Sequence, residues 1–160
     1  MKTFLIVIFG MTLSFAAFSQ QYAVALGIKG GYHYNGGASL SVKHFVKSNG
    51  AFEWNVGGGK NDFWLQGLFE MNYPLNKGVE WYWGAGADFG TWRNGFQFYS
   101  KPNQSYYSGV WGVVDGVIGW EYTFKQAPIN LAMDIGPTIR VYPYVGVTIC
   151  GGMALRYAIQ

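Results

Sequence analysis

The sequence predicts an all-β protein, an eight-stranded antiparallel up-and-down transmembrane β-barrel, on three observations. Eight segments alternate bulky apolar residues with small or polar ones at period two, and no helical period survives in the mature chain. Charged side chains fall on the small-residue face, in turns or at strand ends, which leaves the bulky face free of charge. Charged residues make up 12% of the chain, about half the globular norm of roughly 25%. A water-facing surface needs more.

The chain opens with a leader. Lys2, the apolar stretch Phe4 to Phe18 and the small-x-small site Ala17-Phe18-Ser19 read as a signal peptide over residues 1–19, leaving the barrel at 20–160. The first strand runs from Tyr22 to Tyr32, with Val24, Leu26 and Ile28 bulky and Ala25, Gly27 and Lys29 opposite. Asn35-Gly36-Gly37 signals a hairpin, and Ala38 to Val46 forms the second strand, with Leu40 and Val42 against Ser39, Ser41 and Lys43. After Ser48-Asn49-Gly50, the third strand alternates Phe52, Trp54 and Val56 with Glu53, Asn55 and Gly57. The fourth spans Phe63 to Tyr73, and Pro74 to Gly78 reads as a turn.

Val79 to Phe89 is the fifth strand, with Glu80, Tyr82 and Asp88 on the small-residue face. Gly90 to Gly109 is the one long loop. The sixth and seventh strands, Val110 to Phe124 and Ile129 to Arg140, flank the short break Lys125-Gln126-Ala127. The eighth runs from Val147 to Ile159, where Ile149, Met153, Leu155 and Tyr157 oppose Cys150, Gly152, Ala154 and Arg156.

The charges decide which face is outside. Seven of the eight acids (Glu53, Glu70, Glu80, Asp88, Asp115, Glu121 and Asp134) share the small face with Lys29, Lys43, Arg140 and Arg156. A membrane barrel turns apolar side chains to lipid and small or polar ones to the lumen, and a Lys or Arg on the lipid face at mid-membrane costs about 2–4 kcal/mol. Aromatics gather at the bulky-face ends near the short turns (Tyr22, Trp54, Tyr73, Trp81, Trp120, Tyr122, Phe124 and Tyr157), as in an interfacial girdle. By the same parity Trp64, Leu68, Trp111, Val113 and Val117 point inward and His44 outward. The runner-up is a secreted, soluble lipocalin-like barrel binding an apolar ligand, which requires the bulky face inside. A lipid-modifying barrel enzyme is a third reading.

Several fragments carry a resemblance: Gly30-Gly31, Lys43-His44-Phe45, Gly67-Leu68-Phe69-Glu70, Tyr82-Trp83-Gly84-Ala85-Gly86, the run Gly116 to Phe124, Pro128-Ile129-Asn130-Leu131 and Leu155-Arg156-Tyr157. With them the chain resembles the small single-domain outer-membrane β-barrel proteins of the Bacteroidota type, with OmpX- or OmpA-barrel-like architecture. The resemblance implies fold and an outer-membrane location and brings no activity. Such proteins usually end in an aromatic residue read by the barrel-assembly machinery, whereas this chain ends Tyr157-Ala158-Ile159-Gln160. Ile135-Gly136-Pro137 stands where a Trp-Lys-Pro is common.

Two candidate sites follow. The first is a structural lumen network of Lys29, Lys43, Glu53, Glu70, Glu80, Asp88, Asp115, Glu121, Asp134, Arg140 and Arg156, because buried charges persist only when paired and hydrogen-bonded. The second is the long loop, with Trp92, Arg93, Phe96, Phe98, Tyr99, Lys101, Tyr106 and Tyr107. Aromatics with Arg suit recognition of an extracellular protein or glycan; alternatively they extend the flanking strands and meet lipopolysaccharide, the cations pairing with its phosphates. Outer-membrane lipid and the assembly machinery are the other expected partners, with no nucleic acid, since a net charge of +3 comes without a basic run. A monomer is expected, with no cofactor, metal or catalysis. His33 and His44 are the only histidines, parity separates His44 from Ser39 and Ser41, and Gly57-Gly58-Gly59-Lys60 precedes no helix.

Overall fold

The computed structural model describes residues 22–32, 37–59, 62–96 and 106–159. The expected signal peptide lies outside them, as do His33, Phe98, Tyr99 and Lys101. Eight strands follow in chain order: β1 (Val24–Tyr32), β2 (Gly37–Phe45), β3 (Gly50–Gly58), β4 (Asp62–Asn76), β5 (Val79–Phe96), β6 (Tyr106–Thr123), β7 (Ile129–Tyr142) and β8 (Gly146–Ile159). Each pairs antiparallel with the next, and β1 pairs with β8 from Val24↔Ile159 to Tyr32↔Gly151. The barrel is closed, which removes the free edges that an open sheet exposes.

Short turns hold one end. Gly78, at φ +89°, lets the chain reverse in two residues between Asn76 and Val79. The Lys77 amide donates to Asn76 Oδ1 at 2.7 Å, and the Thr123 amide donates to the Gly78 carbonyl at 2.8 Å. The turn expected over Pro74 to Gly78 is therefore only Lys77-Gly78. At Pro137 the β6–β7 ladder skips from Asp115↔Thr138 to Ile118↔Ile135 without a change of register, since proline has no amide to donate.

Alternation fixes what lies inside. Leu40 is 68% exposed and Met153 67%, whereas Lys43 and Glu53 are both at 0%. Buried polar and charged residues outnumber buried apolar ones, so the interior is polar and the exterior apolar. Four inward bulky side chains have a local cause: each is register partner to a glycine. Trp64 faces Gly57, Leu68 faces Gly86, Tyr82 faces Gly119 and Trp111 faces Gly90. A Cβ at Gly90 would sit 2.5 Å from Trp111 Cζ2, and one at Gly119 would sit 2.6 Å from Tyr82 Cζ. Large side chains thus lie over bare backbone, and the narrow lumen is filled without overlap.

Two expectations need correction. Tyr22, assigned to the outer girdle, is buried inside, with its ring 5.2 Å edge-on to Phe45. It precedes β1, so strand alternation does not constrain its direction. The loop expected over Gly90 to Gly109 is shorter, because β5 continues through Trp92, Arg93 and Phe96, and β6 starts at Tyr106-Tyr107. Arg93 pairs with Ser108 and Phe96 with Tyr106, so the ladder itself extends into the segment read as loop.

Replacing Gly90 by Val should overpack the Trp111 site and destabilise the barrel by about 1–3 kcal/mol or more. Gly30→Ala should be close to neutral, because a Cβ there meets nothing nearer than the Gly37 carbonyl at 3.8 Å. Urea unfolding of the two refolded variants checks the contrast, and equal midpoints would count against it.

Candidate functional site

The lumen assembles its charges from alternate strands. Lys43 of β2 reaches Glu70 Oε2 of β4 and Glu121 Oε2 of β6, both at 2.8 Å. Lys29 of β1 reaches Glu53 Oε1 of β3 at 3.0 Å and Asp134 Oδ2 of β7 at 2.6 Å. Inward residues of alternate strands occupy common levels of a barrel, so each lysine finds carboxylates two and more strands away. Arg156 of β8 extends the Lys29 group: its Nη2 lies 2.7 Å from Glu53 Oε2, its Nε donates to Ser41 Oγ at 2.9 Å and its Nη1 to Asn130 Oδ1 at 3.2 Å.

Neutral groups extend the network. Tyr22, at the short-turn end, donates its hydroxyl to both Glu121 oxygens at 3.1 and 3.2 Å, and Asn72 Nδ2 donates to Glu121 Oε1 at 3.0 Å. Tyr82 does two things: its hydroxyl donates to Asp134 Oδ2 at 3.0 Å, and its ring lies under Lys43 Nζ at 4.5 Å. That cation–π contact adds to the stabilisation of a desolvated ammonium. Further along, Asn55 Nδ2 donates to Glu53 Oε1 and Gln66 Oε1, both at 2.8 Å. Gln66 Nε2 then bridges Asp88 and Asp115 at 3.2 and 3.3 Å, and Thr138 donates to Asp115 Oδ1.

Of the network residues named from sequence, the structure brings Lys29, Lys43, Glu53, Glu70, Glu121, Asp134 and Arg156 into direct ion pairs. Asp88 and Asp115 join through Gln66. Glu80 is only partly buried, with Glu121 as its register partner on β6. Arg140 lies near the far end, its guanidinium 4.2 Å over the Tyr144 ring. Sequence reasoning missed the role of Tyr22 and of the amides Asn55, Gln66, Asn72 and Asn130. The amides were legible as inward polar positions; Tyr22 carried no such signal.

The other expected features fall elsewhere. His44 is on the outside, stacked at 5.8 Å on Phe52, away from the inward Ser39 and Ser41. Among the described residues no group of three His, Cys, Asp or Glu could hold a metal ion. A lipocalin-like apolar interior does not fit a lumen in which the charged side chains are buried. Of the recognition segment, Trp92, Arg93 and Phe96 belong to β5 and Tyr106 and Tyr107 to β6.

No family model matches the chain, and no curated protein is similar to it in sequence. Among solved structures, the fold is similar to the N-terminal β-barrel domain of Pseudomonas aeruginosa OprF, with a TM-score of 0.61 at 11% identity, covering 86% of this chain and 98% of that one. At that identity the likeness is one of fold.

Lys43→Met should cost about 3–5 kcal/mol, because it leaves two buried carboxylates without their cation. Adding Glu70→Gln and Glu121→Gln should restore much of that loss, since a neutralised group is far cheaper to bury than a broken pair. Urea unfolding in detergent measures both steps, and no recovery in the triple variant would speak against the pairing. Tyr22→Phe should cost about 1–3 kcal/mol by leaving Glu121 short of a donor.

Proposed function

We propose that the chain is an integral outer-membrane β-barrel, a monomer whose lumen is plugged by its own paired charges and whose far end serves surface interactions. One observation carries this reading: every strand turns apolar side chains outward while the ionisable ones fill the interior. Ile28, Leu40, Trp54, Phe63, Trp83, Ile118, Ile135 and Met153, one from each strand, are exposed. In water such a surface is a broad aggregation hazard; in hydrocarbon it is matched to its solvent. The similarity to the OprF barrel domain supports the architecture.

The lumen reads as a plug because its centre is occupied by Arg156, Tyr82, Lys29 and Lys43, all fully buried and tied across the barrel. An eight-stranded barrel is just wide enough for side chains to fill it. β5 and β6 extend beyond their neighbours to Phe96 and Tyr106, a paired stem on which residues 97–105 connect the two strands in sequence. The aromatic and basic residues of that segment suit lipopolysaccharide, with an extracellular protein or glycan as the more specific partner. The short-turn end then faces the periplasm, on the side from which the assembly machinery receives the chain.

Separation of membranes by density should recover the protein with the outer membrane; recovery in the soluble periplasm without detergent would sink the reading. In planar bilayers the barrel should show no large, stable conductance. Replacing 97–105 by a two-residue turn between Phe96 and Tyr106 should leave assembly intact and reduce binding of cells to lipopolysaccharide, host protein or glycan. Retention of every interaction by the shortened protein would make the connection purely structural.

A further inference from the structure

Among the described residues, the outward surface carries a concave groove of about 520 Å³ over the seam where β1 and β8 close the barrel, a size within the roughly 300–1,000 Å³ of small-molecule clefts. Its walls are Trp120 of β6, Met133 and Ile135 of β7, and Met153 of β8, all exposed. Its floor includes Gly30 and Gly151, which interrupt the outward rows of bulky residues on β1 and β8. Packing requires only one of the two. A Cβ at Gly151 would press on the Asp134 carbonyl at 2.8 Å, but a Cβ at Gly30 would meet only the Gly37 carbonyl at 3.8 Å. The missing side chain at Gly30 therefore keeps the groove open without being needed to close the barrel.

We propose that this groove is a lipid site that seats one acyl chain of a membrane phospholipid. The inference rests on the membrane reading. The groove is continuous with the apolar outer band, and its outward wall side chains are uncharged, which matches hydrocarbon; Asp134 also lines it, but its carboxylate is turned to Lys29 and Tyr82 on the lumen side. Two of its walls are methionine, whose flexible, polarisable thioethers adapt to a chain of variable conformation. Left empty in hydrocarbon, the lining would lose its contacts outright. Trp120 lies three residues from the short-turn end of β6, with Tyr122 between, so the headgroup belongs to the leaflet on that side. Strand addition by a protein partner is excluded at the seam, because β1 and β8 already pair with each other.

The test uses the full chain inserted into vesicles of phosphatidylethanolamine and phosphatidylglycerol, extracted into mild detergent and weighed by native mass spectrometry. The parent should retain one phospholipid through washing. Gly30→Leu, which fills the groove, should lose it several-fold, while Ala87→Leu, the same bulk added on the outward face of β5, should keep it. Strand circular dichroism and flotation with the vesicles establish that each variant folds and inserts. Equal retention by the parent and Gly30→Leu, or no retained lipid in the parent, overturns the site while leaving the membrane reading standing. A lipid-free dimer lost in Gly30→Leu assigns the groove to a second copy and overturns it too. Failure of the parent to float with vesicles overturns the membrane reading and the lipid site together.

Discussion

Lys43 between Glu70 and Glu121 is the interaction on which the rest of the architecture depends. An ammonium taken fully out of water is tolerable only with carboxylates at hydrogen-bond distance, and here both sit at 2.8 Å. Those carboxylates come from β4 and β6, far along the chain, so the arrangement exists only in a barrel with the correct register. A slip of one residue in β2 would turn Lys43 outward and Val42 or His44 inward, breaking both ion pairs at once. Lys29 and Arg156 impose the same condition on β1 and β8. The network is thus a register lock as much as a filling.

Steric complementarity imposes a second, independent condition. Trp64, Leu68, Tyr82 and Trp111 each lie across the ladder from a glycine. Bulk and bare backbone are therefore distributed in pairs, and the abundance of glycine on the inner face has a packing cause. Tyr82 connects the two conditions: its ring covers Gly119 and supports Lys43, while its hydroxyl serves Asp134. The outer face follows a looser rule, because hydrocarbon accommodates any apolar shape. That freedom is what permits a notch at Gly30.

Much of this was legible in the sequence, for a simple reason. A strand buried differently on its two faces writes its orientation into every second residue, so strand count, inward charges and the charge-free outer face could all be read without coordinates. Even the inward indoles Trp64 and Trp111 followed from parity. Alternation lost its force only where strands begin, end or continue beyond the apolar band. Tyr22 precedes the first strand and turns inward to Glu121, and β5 and β6 extend to Phe96 and Tyr106 where the polar, glycine-containing segment suggested a loop.

The sequence by itself determined which residues share the lumen and which share the exterior, because that partition is local and periodic. Only the tertiary structure decided which lumen residues touch. The pairing of Lys29 with Asp134, the crossing of Arg156 to Ser41 and Glu53, and the meeting of Gly30 with Met153 at the closure seam all join distant parts of the chain. Such contacts depend on strand order, register and closure, which are properties of the whole ladder, and no single segment encodes them.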